Sequence, residues 1–509
     1  MNEENFYQFS TLTVLILLAA FYGGTYLLTL LIKKKKENTD AFMVSNHQIG
    51  FGLGAASMTA TWIWAASFYG AATSGYTYGI SGPLHYGLWG ALMILFIYPF
   101  GRRFRELAPN AHTLGELIHA RHGSSSQLIL ASSNILGSII SLMVNFTASG
   151  ALVSVLSPLS FQAGVVIAGV GVLSYTLWSG FRASVLTDFA QLMAMMAVAI
   201  LIIPAVLFAL GGPQTLSDGM SLLTPEQADL FSMDAILKQG APFFVAVLAY
   251  AIGNQTISQR LFAVREDHIK PTFITATIGY GAIVIGLGMI GSLSSTADSD
   301  LSAMSAIVMA DVYGKNIAKN KPDPTKMLFI GRLTMIVATL IGVILASFSM
   351  DILIMLVFVG ALWGAIVFPV IASCFWDRVT NLAFTSAVIA GLLMFCVARF
   401  ELLPMAGFIA VLFELLAAVG GGVVLGLMTF GFCGRRVGLI VGALSAIGLA
   451  FLCVGFLRDY TVLLASLMAY GVSTLVCIAV SLLGSSKFDF TQIDQNVINY
   501  DPAKTEAQA

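Results

Sequence analysis

Residues 50–83 read GFGLGAASMTATWIWAASFYGAATSGYTYGISGP and contain no charged side chain. The first half of this stretch is rich in glycine and other small residues, whereas the second half is aromatic. A membrane segment of this kind can break into two half-helices, whose freed carbonyls bind a cation and whose ends face a solute. The alternative is an unbroken helix that packs closely through its small residues. The stretch therefore indicates a membrane-spanning element, either broken or continuous.

The chain as a whole has the composition of a membrane protein. Of its 509 residues, 58% are hydrophobic and 10% are charged. Apolar runs of about twenty residues recur from end to end, which predicts an all-α polytopic membrane protein without a sizeable soluble domain. The net charge of −1 provides no basic field for a nucleic-acid partner. The apolar segments are 10–32, 48–75, 83–101, 126–158, 160–180, 186–212, 237–262, 272–293, 328–350, 352–376, 380–398, 405–432, 436–456 and 459–483.

Basic residues set the predicted orientation. The first apolar segment follows acidic residues and precedes Lys33 to Lys36, so we predict an uncleaved first transmembrane helix with its N-terminus outside. With this orientation the other basic residues also fall on the cytoplasmic side. They are Arg102, Arg103, Arg105, Arg121, Arg182, Arg260, Arg265, Lys270, Lys315, Lys319, Lys321, Lys326, Arg378, Arg435 and Arg436. We expect a multi-pass protein of the plasma (inner) membrane.

One region does not fit a simple alternation of crossings. Loops 260–271 and 314–327 are both basic, so residues 272–313 must cross the membrane twice or not at all. Two crossings leave almost no loop, and we predict a cramped helical hairpin that turns near residues 291–294. The alternative, one long crossing, inverts everything downstream. The hairpin gives about 15 segments, in a transmembrane domain over 1–485 that precedes a cytoplasmic tail over 486–509.

A polar stretch ends this hairpin. Residues 294–314 read SSTADSDLSAMSAIVMADVYG. On a helix, one face carries hydroxyls, with Thr296 beside it: Ser292, Ser295, Ser299 and Ser302. Hydroxyl and backbone oxygens suit a weakly bound hard cation, whereas the alternative function is hydrogen bonding between packed helices. Asp298 and Asp300 either attract the cation or solvate a vestibule.

Other polar groups lie deep in apolar segments. An amide there must have a partner or a solute, because an unpaired one is costly. If the helix of residues 50–83 breaks near 56–60, its side chains face the same region as those of 237–262. The candidate solute-binding residues are Met58, Trp62, Tyr250, Asn254 and Gln255. Thr113 and Glu116 have the spacing of a helix capping box, and the six histidines show no metal-ligand spacing.

Five stretches resemble successive signatures of the sodium:solute symporter family, in the family's order. They are TATWIWAASFYGAATSGYTYGISGP, RELAPNAHTLGELIHARHG, YTLWSGFRASVLTDFAQ, YAIGNQTISQRLFA and SSTADSDLSAMSAIVMADVYG. The first two are similar to the urea and polyamine symporters, which carry a Trp-x-Trp-Ala stretch and an Ala-Pro-Asn-Ala-His-Thr loop. The resemblance implies an inverted-repeat (5+5) sodium symporter fold, with an extra N-terminal helix and additional C-terminal helices.

The resemblance also implies a cation site between the first and eighth core helices. Carried over by position, the paired hydroxyl ligands are Ser295 and Thr296, the carbonyl ligands are Ser292, Ala56 and Thr59, and the residue for cation release is Asp188. One departure is clear. Residues 261–294 are too few for the loop and two full helices that the family usually has there. The seventh core helix, its external loop and the outer half of the eighth are therefore expected to be curtailed.

These observations predict a cation-coupled secondary symporter, with Na⁺ as the favoured coupling ion and H⁺ as the alternative. The favoured solute is urea or a related small amide or amine, which rests on the resemblance alone. Proline, short carboxylates and sugars are the alternatives, as are an uncoupled channel and an internally deleted variant with impaired transport. We expect no enzyme and no organic cofactor, because the sequence has no His-Glu-x-x-His, Gly-x-Ser-x-Gly or P-loop motif.

Overall fold

Helices form nearly all of the described chain. The computed structural model describes residues 8–30, 39–63, 65–209, 211–221, 223–288, 304–319, 323–348, 352–485 and 487–497. Within these residues the extended structure is a single parallel bridge, Ile49 to Val264. The α-helices are α1 (Thr11–Leu30), α2 (Thr39–Val44), α3 (Phe51–Trp62), α4 (Ala65–Tyr78), α5 (Ser81–Leu107), α6 (Leu114–His122), α7 (Ser124–Leu156), α8 (Phe161–Ala197), α9 (Ile203–Ala209), α10 (Pro213–Ser221), α11 (Met233–Ala235), α12 (Ala241–Gly253), α13 (Gln255–Ala263), α14 (Ile269–Gly288), α15 (304–317, with Val308–Ile317 as a π-helix), α16 (Pro324–Ala346), α17 (Ile352–Phe375), α18 (Asn381–Arg399), α19 (Gly407–Cys433), α20 (Arg435–Cys453), α21 (Thr461–Leu483) and α22 (Gln492–Asn496).

The helices have the length and composition of membrane spans. Among the described residues, 12 helical segments are long and apolar enough to cross a bilayer. Helices satisfy their own backbone hydrogen bonds, which is the condition for crossing a hydrocarbon layer. The prediction of an all-α polytopic membrane protein is confirmed.

The uncharged stretch of residues 50–83 contains a broken helix. α3 ends at Trp62, Ile63 leaves the helical conformation with φ −90° and ψ 72°, and α4 begins at Ala65. The break lies at Ile63, whereas the sequence analysis considered a break near residues 56–60. Residues 55–60 stay helical because they include good helix formers such as alanine and methionine. The hydroxyls of Thr59 and Thr61 bond back to carbonyls one turn earlier, an arrangement that favours a bend near the end of α3.

A second broken helix was not predicted. The apolar segment 237–262 divides into α12 and α13 at Asn254, which has φ −82° and ψ 112°. The Asn254 side-chain oxygen accepts hydrogen bonds from the backbone N–H of Thr256 at 2.8 Å and from its hydroxyl at 2.6 Å. Asn254 is therefore the N-cap that lets a new helix begin inside the protein.

α8 contains two helices joined at Gly180. The glycine has φ 56° and ψ −133°, a conformation that strongly disfavours residues with a side chain. The Phe42 ring also lies close, because a Cβ atom added at Gly180 would be 2.8 Å from it. This kink separates the predicted apolar segments 160–180 and 186–212.

The seventh core helix is not curtailed, contrary to expectation. α14 has 20 residues and is one of the candidate spans, and it packs against α3 and α5. The expectation divided residues 272–313 into two equal crossings, whereas α14 already begins at Ile269. The predicted turn at 291–294 lies outside the described residues.

The tail that begins at residue 486 is partly docked. Phe488 lies under the Arg121 guanidinium, 4.0 Å from its central carbon to the ring centre, and Ile493 is fully buried. The backbone N–H of Phe488 also donates to the Asp377 carbonyl at 3.0 Å. Residues 487–497 thus form a strap across α6 and the turn after α17.

Candidate solute and cation site

The two helix breaks meet at a pair of aromatic rings. Trp62 is the last residue of α3, and Tyr250 lies in the last turn of α12. Their ring centres are 5.9 Å apart at an angle of 64°, and Tyr250 contacts Trp363 edge-on at 5.1 Å. Both Trp62 and Tyr250 are buried. The junction therefore lies inside the protein, where a solute must be enclosed.

A cavity of about 20 Å³ lies at this junction, which is enough for about one water molecule. It is lined by Trp62, Tyr86, Gly90, Met93, Phe243, Tyr250 and Tyr280. The buried indole Nε1–H of Trp62 has no acceptor among the described residues. The junction thus combines apolar ring faces with a donor that is available to a bound molecule.

Three of the five predicted solute-binding residues do not line this cavity. Met58 is fully buried in α3, one turn before Trp62. Asn254 caps α13, and Gln255 donates from Nε2 to the His112 carbonyl at 3.4 Å. The structure therefore brings only Trp62 and Tyr250 to the cavity, and solute contact by all five residues stays a prediction.

The described half of the predicted cation site lies near the end of α3. Ala56 and Thr59 are buried, and the Thr59 carbonyl accepts the N–H of Ile63 at 3.2 Å. The Thr59 side chain packs against Gly279 of α14. Carbonyls at a helix C-terminus carry partial negative charge, which favours a cation there. The other predicted ligands, Ser292, Ser295 and Thr296, lie outside the described residues, as do Asp298 and Asp300.

Asp188 of α8 is buried and hydrogen-bonded to groups from two other helices. Its Oδ2 accepts from the Ser57 hydroxyl at 2.5 Å, from Arg260 Nη2 at 2.8 Å and from the Thr61 hydroxyl at 3.4 Å. No donor among the described residues reaches its Oδ1. Asp188 thus connects α3, α8 and α13 and keeps one carboxylate oxygen without a protein donor. Its role in cation release stays a prediction.

Arg260 is the residue that sequence reasoning placed wrongly. We counted it among the basic residues of a cytoplasmic loop, but it is 1% exposed. Its Nε donates to the Ser57 hydroxyl at 2.9 Å, and its Nη1 donates to the Thr256 carbonyl at 3.2 Å. A charge at membrane depth normally has a partner, and the position of Arg260 inside the apolar segment 237–262 was the available signal.

A second buried polar cluster surrounds α6. The Thr113 hydroxyl accepts the N–H of Glu116 at 3.1 Å, so the predicted cap is confirmed. Glu116 Oε2 accepts the backbone N–H of His112 at 2.6 Å and lies 3.1 Å from its ring Nδ1, while His112 Nε2 is 3.0 Å from Asp40 Oδ1. Sequence spacing did not identify this cluster, because Asp40 is distant in the chain.

We call the end of the molecule that carries α6, Arg102 and Arg265 the arginine-rich side.

Comparisons with known proteins agree with this geometry. A model of the sodium:solute symporter family matches residues 42–295, half of the chain. The chain is 25% identical over 396 residues to a sodium/pantothenate symporter of Escherichia coli strain K12, across 67% of this chain and 81% of that protein. It is 22% identical over 432 residues to a probable urea active transporter of Schizosaccharomyces pombe, across 70% of this chain and 64% of that protein, which is less than two thirds.

A solved structure shows the same fold. A Na⁺-coupled sialic acid symporter in a substrate-bound outward-open state matches with a TM-score of 0.62 at 16% identity, over 85% of this chain and 97% of that chain. The inverted-repeat symporter fold expected from the resemblance is confirmed. In this chain the residues at the junction of α3/α4 with α12/α13 are buried.

Proposed function

Because the chain belongs to the sodium:solute symporter family, we propose that it is a secondary active symporter that couples Na⁺ entry to import of a small polar solute. Urea or a related small amide or amine is the favoured solute. The transport cycle exposes the junction of the two broken helices to each side of the membrane in turn. The orientation follows the basic residues, with the N-terminus outside and the C-terminus in the cytoplasm, in the plasma membrane.

The junction at Trp62 and Tyr250 carries this proposal. Among the described residues that line its cavity, none is charged. A carboxylate or an amino acid zwitterion would be costly there without a charged partner. A small neutral amide can stack on the rings and accept the Trp62 Nε1–H bond, so the lining favours urea over proline or a short carboxylate.

Sodium is the favoured coupling ion because carbonyls near the end of α3 are available as oxygen ligands. Thr59 lies in the last turn of α3, and its carbonyl keeps a second lone pair beyond its bond from Ile63. With Ser295 and Thr296 as further ligands, Ser295→Ala and Thr296→Ala should each raise the Na⁺ concentration for half-maximal uptake. Unchanged Na⁺ dependence in both variants would favour a purely structural role for these hydroxyls.

Uptake into proteoliposomes tests the transport proposal. We expect accumulation of radiolabelled urea that requires an inward Na⁺ gradient, with proline, pantothenate and a sugar as competing solutes and a proton gradient as the alternative driving force. Solute flux that ignores both gradients would indicate a channel. If a thermal unfolding transition shows that the protein is folded but no solute is transported, the chain is an internally deleted variant with impaired transport.

Trp62→Phe tests the junction directly. The substitution keeps an aromatic ring and removes the indole N–H, so urea affinity should fall by about tenfold, the equivalent of one hydrogen bond. Trp376→Phe is the matched control, because Trp376 lies in the turn after α17 and does not line the cavity. Equal affinity in the two variants would argue against solute binding at this junction.

A further inference from the structure

His112 is held in a geometry that only its protonated form satisfies fully. Its Nδ1 lies 3.1 Å from a carboxylate oxygen of Glu116, and its Nε2 lies 3.0 Å from one of Asp40. A neutral imidazole donates from only one nitrogen, whereas an imidazolium donates from both. All three side chains are at most 1% exposed. The two carboxylates come from different elements, α2 and α6, so the charged ring joins them.

We propose that His112 is a proton-binding site whose protonated form fastens α2 to α6, so that the arginine-rich side closes with proton uptake and opens with proton release. The proposal rests on the proposed function only for the expectation that this side opens. The occupant is a proton, and no solute or Na⁺ is required for it to bind. It assigns a role to a cluster that the solute and cation site does not use.

α2 is well placed to report the movement of both broken helices. It ends seven residues before α3 begins, so a swing of α3 displaces Asp40. The carbonyl of Met43 in α2 also accepts a hydrogen bond from Gln259 of α13 at 2.6 Å. Opening of these two half-helices therefore separates Asp40 from the His112 ring.

The charged groups around His112 come from every packed element. Besides Asp40 and Glu116, the His47 ring lies near, with its centre 5.5 Å from that of His112, and Arg105 Nη1 of α5 is 3.2 Å from His47 Nδ1. From α15, Asp311 accepts a hydrogen bond from the Thr113 hydroxyl, and Lys315 interacts with the Glu116 charge. From α16, the Arg332 guanidinium lies over the Phe42 ring. Burial and the charge on His112 lower the pKa of His47 to about 3, so His47 stays neutral. Burial opposes ionisation of Glu116, but His112 lowers the pKa of Glu116 to about 2, so this carboxylate stays charged.

The pH range of the site follows from the difference between closed and open forms. Burial alone lowers the pKa of His112, but the Glu116 charge and the hydrogen bonds with Asp40 and Glu116 raise it to about 9. When the ring is released into water its pKa returns to about 6.5. The proton therefore stabilises the closed form fully below about pH 6.5, and this contribution is lost as the pH rises towards about 9.

Thiol labelling of a Met43→Cys protein measures the opening. Met43 is 1% exposed, whereas the native Cys433 is exposed and provides an internal reference for thiol ionisation. The full-length protein in nanodiscs, without Na⁺ or solute, is labelled with a maleimide from pH 6 to pH 10. The labelling rate of the introduced thiol, divided by the rate of Cys433, should rise by about tenfold per pH unit between about pH 7 and 9.

Three variants on this background decide the outcome. His112→Gln should remove the pH dependence of the rate ratio, and His119→Gln, in α6, should leave it unchanged. Asp40→Asn removes one of the two carboxylate partners of His112 and should move the midpoint of the profile to lower pH. This variant keeps the test decisive if His112→Gln is open, and therefore labelled, at every pH. A ratio independent of pH in the parent, or an unchanged profile in both His112→Gln and Asp40→Asn, would overturn the proposal. Labelling is independent of uptake, so failure of the transport proposal is separately visible.

Discussion

The two broken helices are joined differently on the two sides of the junction. On the arginine-rich side, α3 and α13 meet through the buried ion pair of Asp188 and Arg260, which also engages Ser57. On the opposite side, Ser74 of α4 donates to the side-chain oxygen of Gln239 at 2.8 Å, just before α12. The Gln239 amide donates in turn to the Gly82 carbonyl at 3.0 Å. One side is therefore held by charges and the other by a neutral amide.

This difference indicates that the two sides resist opening unequally. Separating a buried ion pair leaves charges that must be hydrated, whereas separating an amide costs about as much as ordinary hydrogen bonds. The closed form should therefore open more readily on the side of Gln239. A bound cation near Asp188 would compete with Arg260 for the carboxylate, which is a physical route from cation binding to opening of the arginine-rich side.

The largest expected effect comes from Arg260→Ala. The substitution leaves Asp188 buried without its cationic partner, and the free energy of unfolding should fall by about 3–5 kcal/mol. Unfolding by guanidinium chloride in detergent measures it. Lys238→Ala is the control, because Lys238 and Asp234 form an exposed ion pair at 2.6 Å that should contribute less than about 1 kcal/mol. If Arg260→Ala lowered the free energy of unfolding no more than Lys238→Ala does, the ion pair of Asp188 and Arg260 would not hold the arginine-rich side together.

Sequence reasoning left the first broken helix as one of two alternatives and missed the second for a physical reason. The small residues and the complete lack of charge in residues 50–83 fit either a broken helix or a continuous one that packs closely. At Asn254 the only local signals are one glycine and one capping residue inside a long apolar run, and a cap is readable only when the helix start is already suspected. The membrane fold was predictable from composition, because composition alone decides which segments enter a bilayer.

The buried charges were less predictable than the helices. Arg260, Arg105, Arg121 and Lys315 were assigned to the cytoplasmic side by the rule for basic loops, which gives no indication that each is at most 7% exposed. Their partners come from distant parts of the chain, as with Asp188 and Arg260, and no local pattern identifies such pairs. The positions of Trp62 and Tyr250 were predicted, but their mutual contact depends on the unforeseen break at Asn254.

A smaller effect is expected from Gln239→Ala on the opposite side. The substitution removes two hydrogen bonds and leaves the Ser74 hydroxyl and the Gly82 carbonyl without this partner, which should cost about 1–3 kcal/mol. If Gln239→Ala were as destabilising as Arg260→Ala, the two sides would be equally fastened and the comparison would fail.

The smallest effect, and the one that separates two roles for one residue, is expected from Asn254→Ala. If Asn254 acts only as the cap of α13, its loss should lower the free energy of unfolding by about 1 kcal/mol and leave urea affinity almost unchanged. Thr380→Ala is the matched control, because the Thr380 hydroxyl caps α18 by accepting the N–H of Ala383 at 3.1 Å, in the C-terminal helices outside the junction. Similar stability losses with unchanged urea binding in both variants would assign Asn254 to the cap alone. A loss of urea affinity confined to Asn254→Ala would show that the side chain also contacts the solute, because the control removes an equivalent cap without touching the junction.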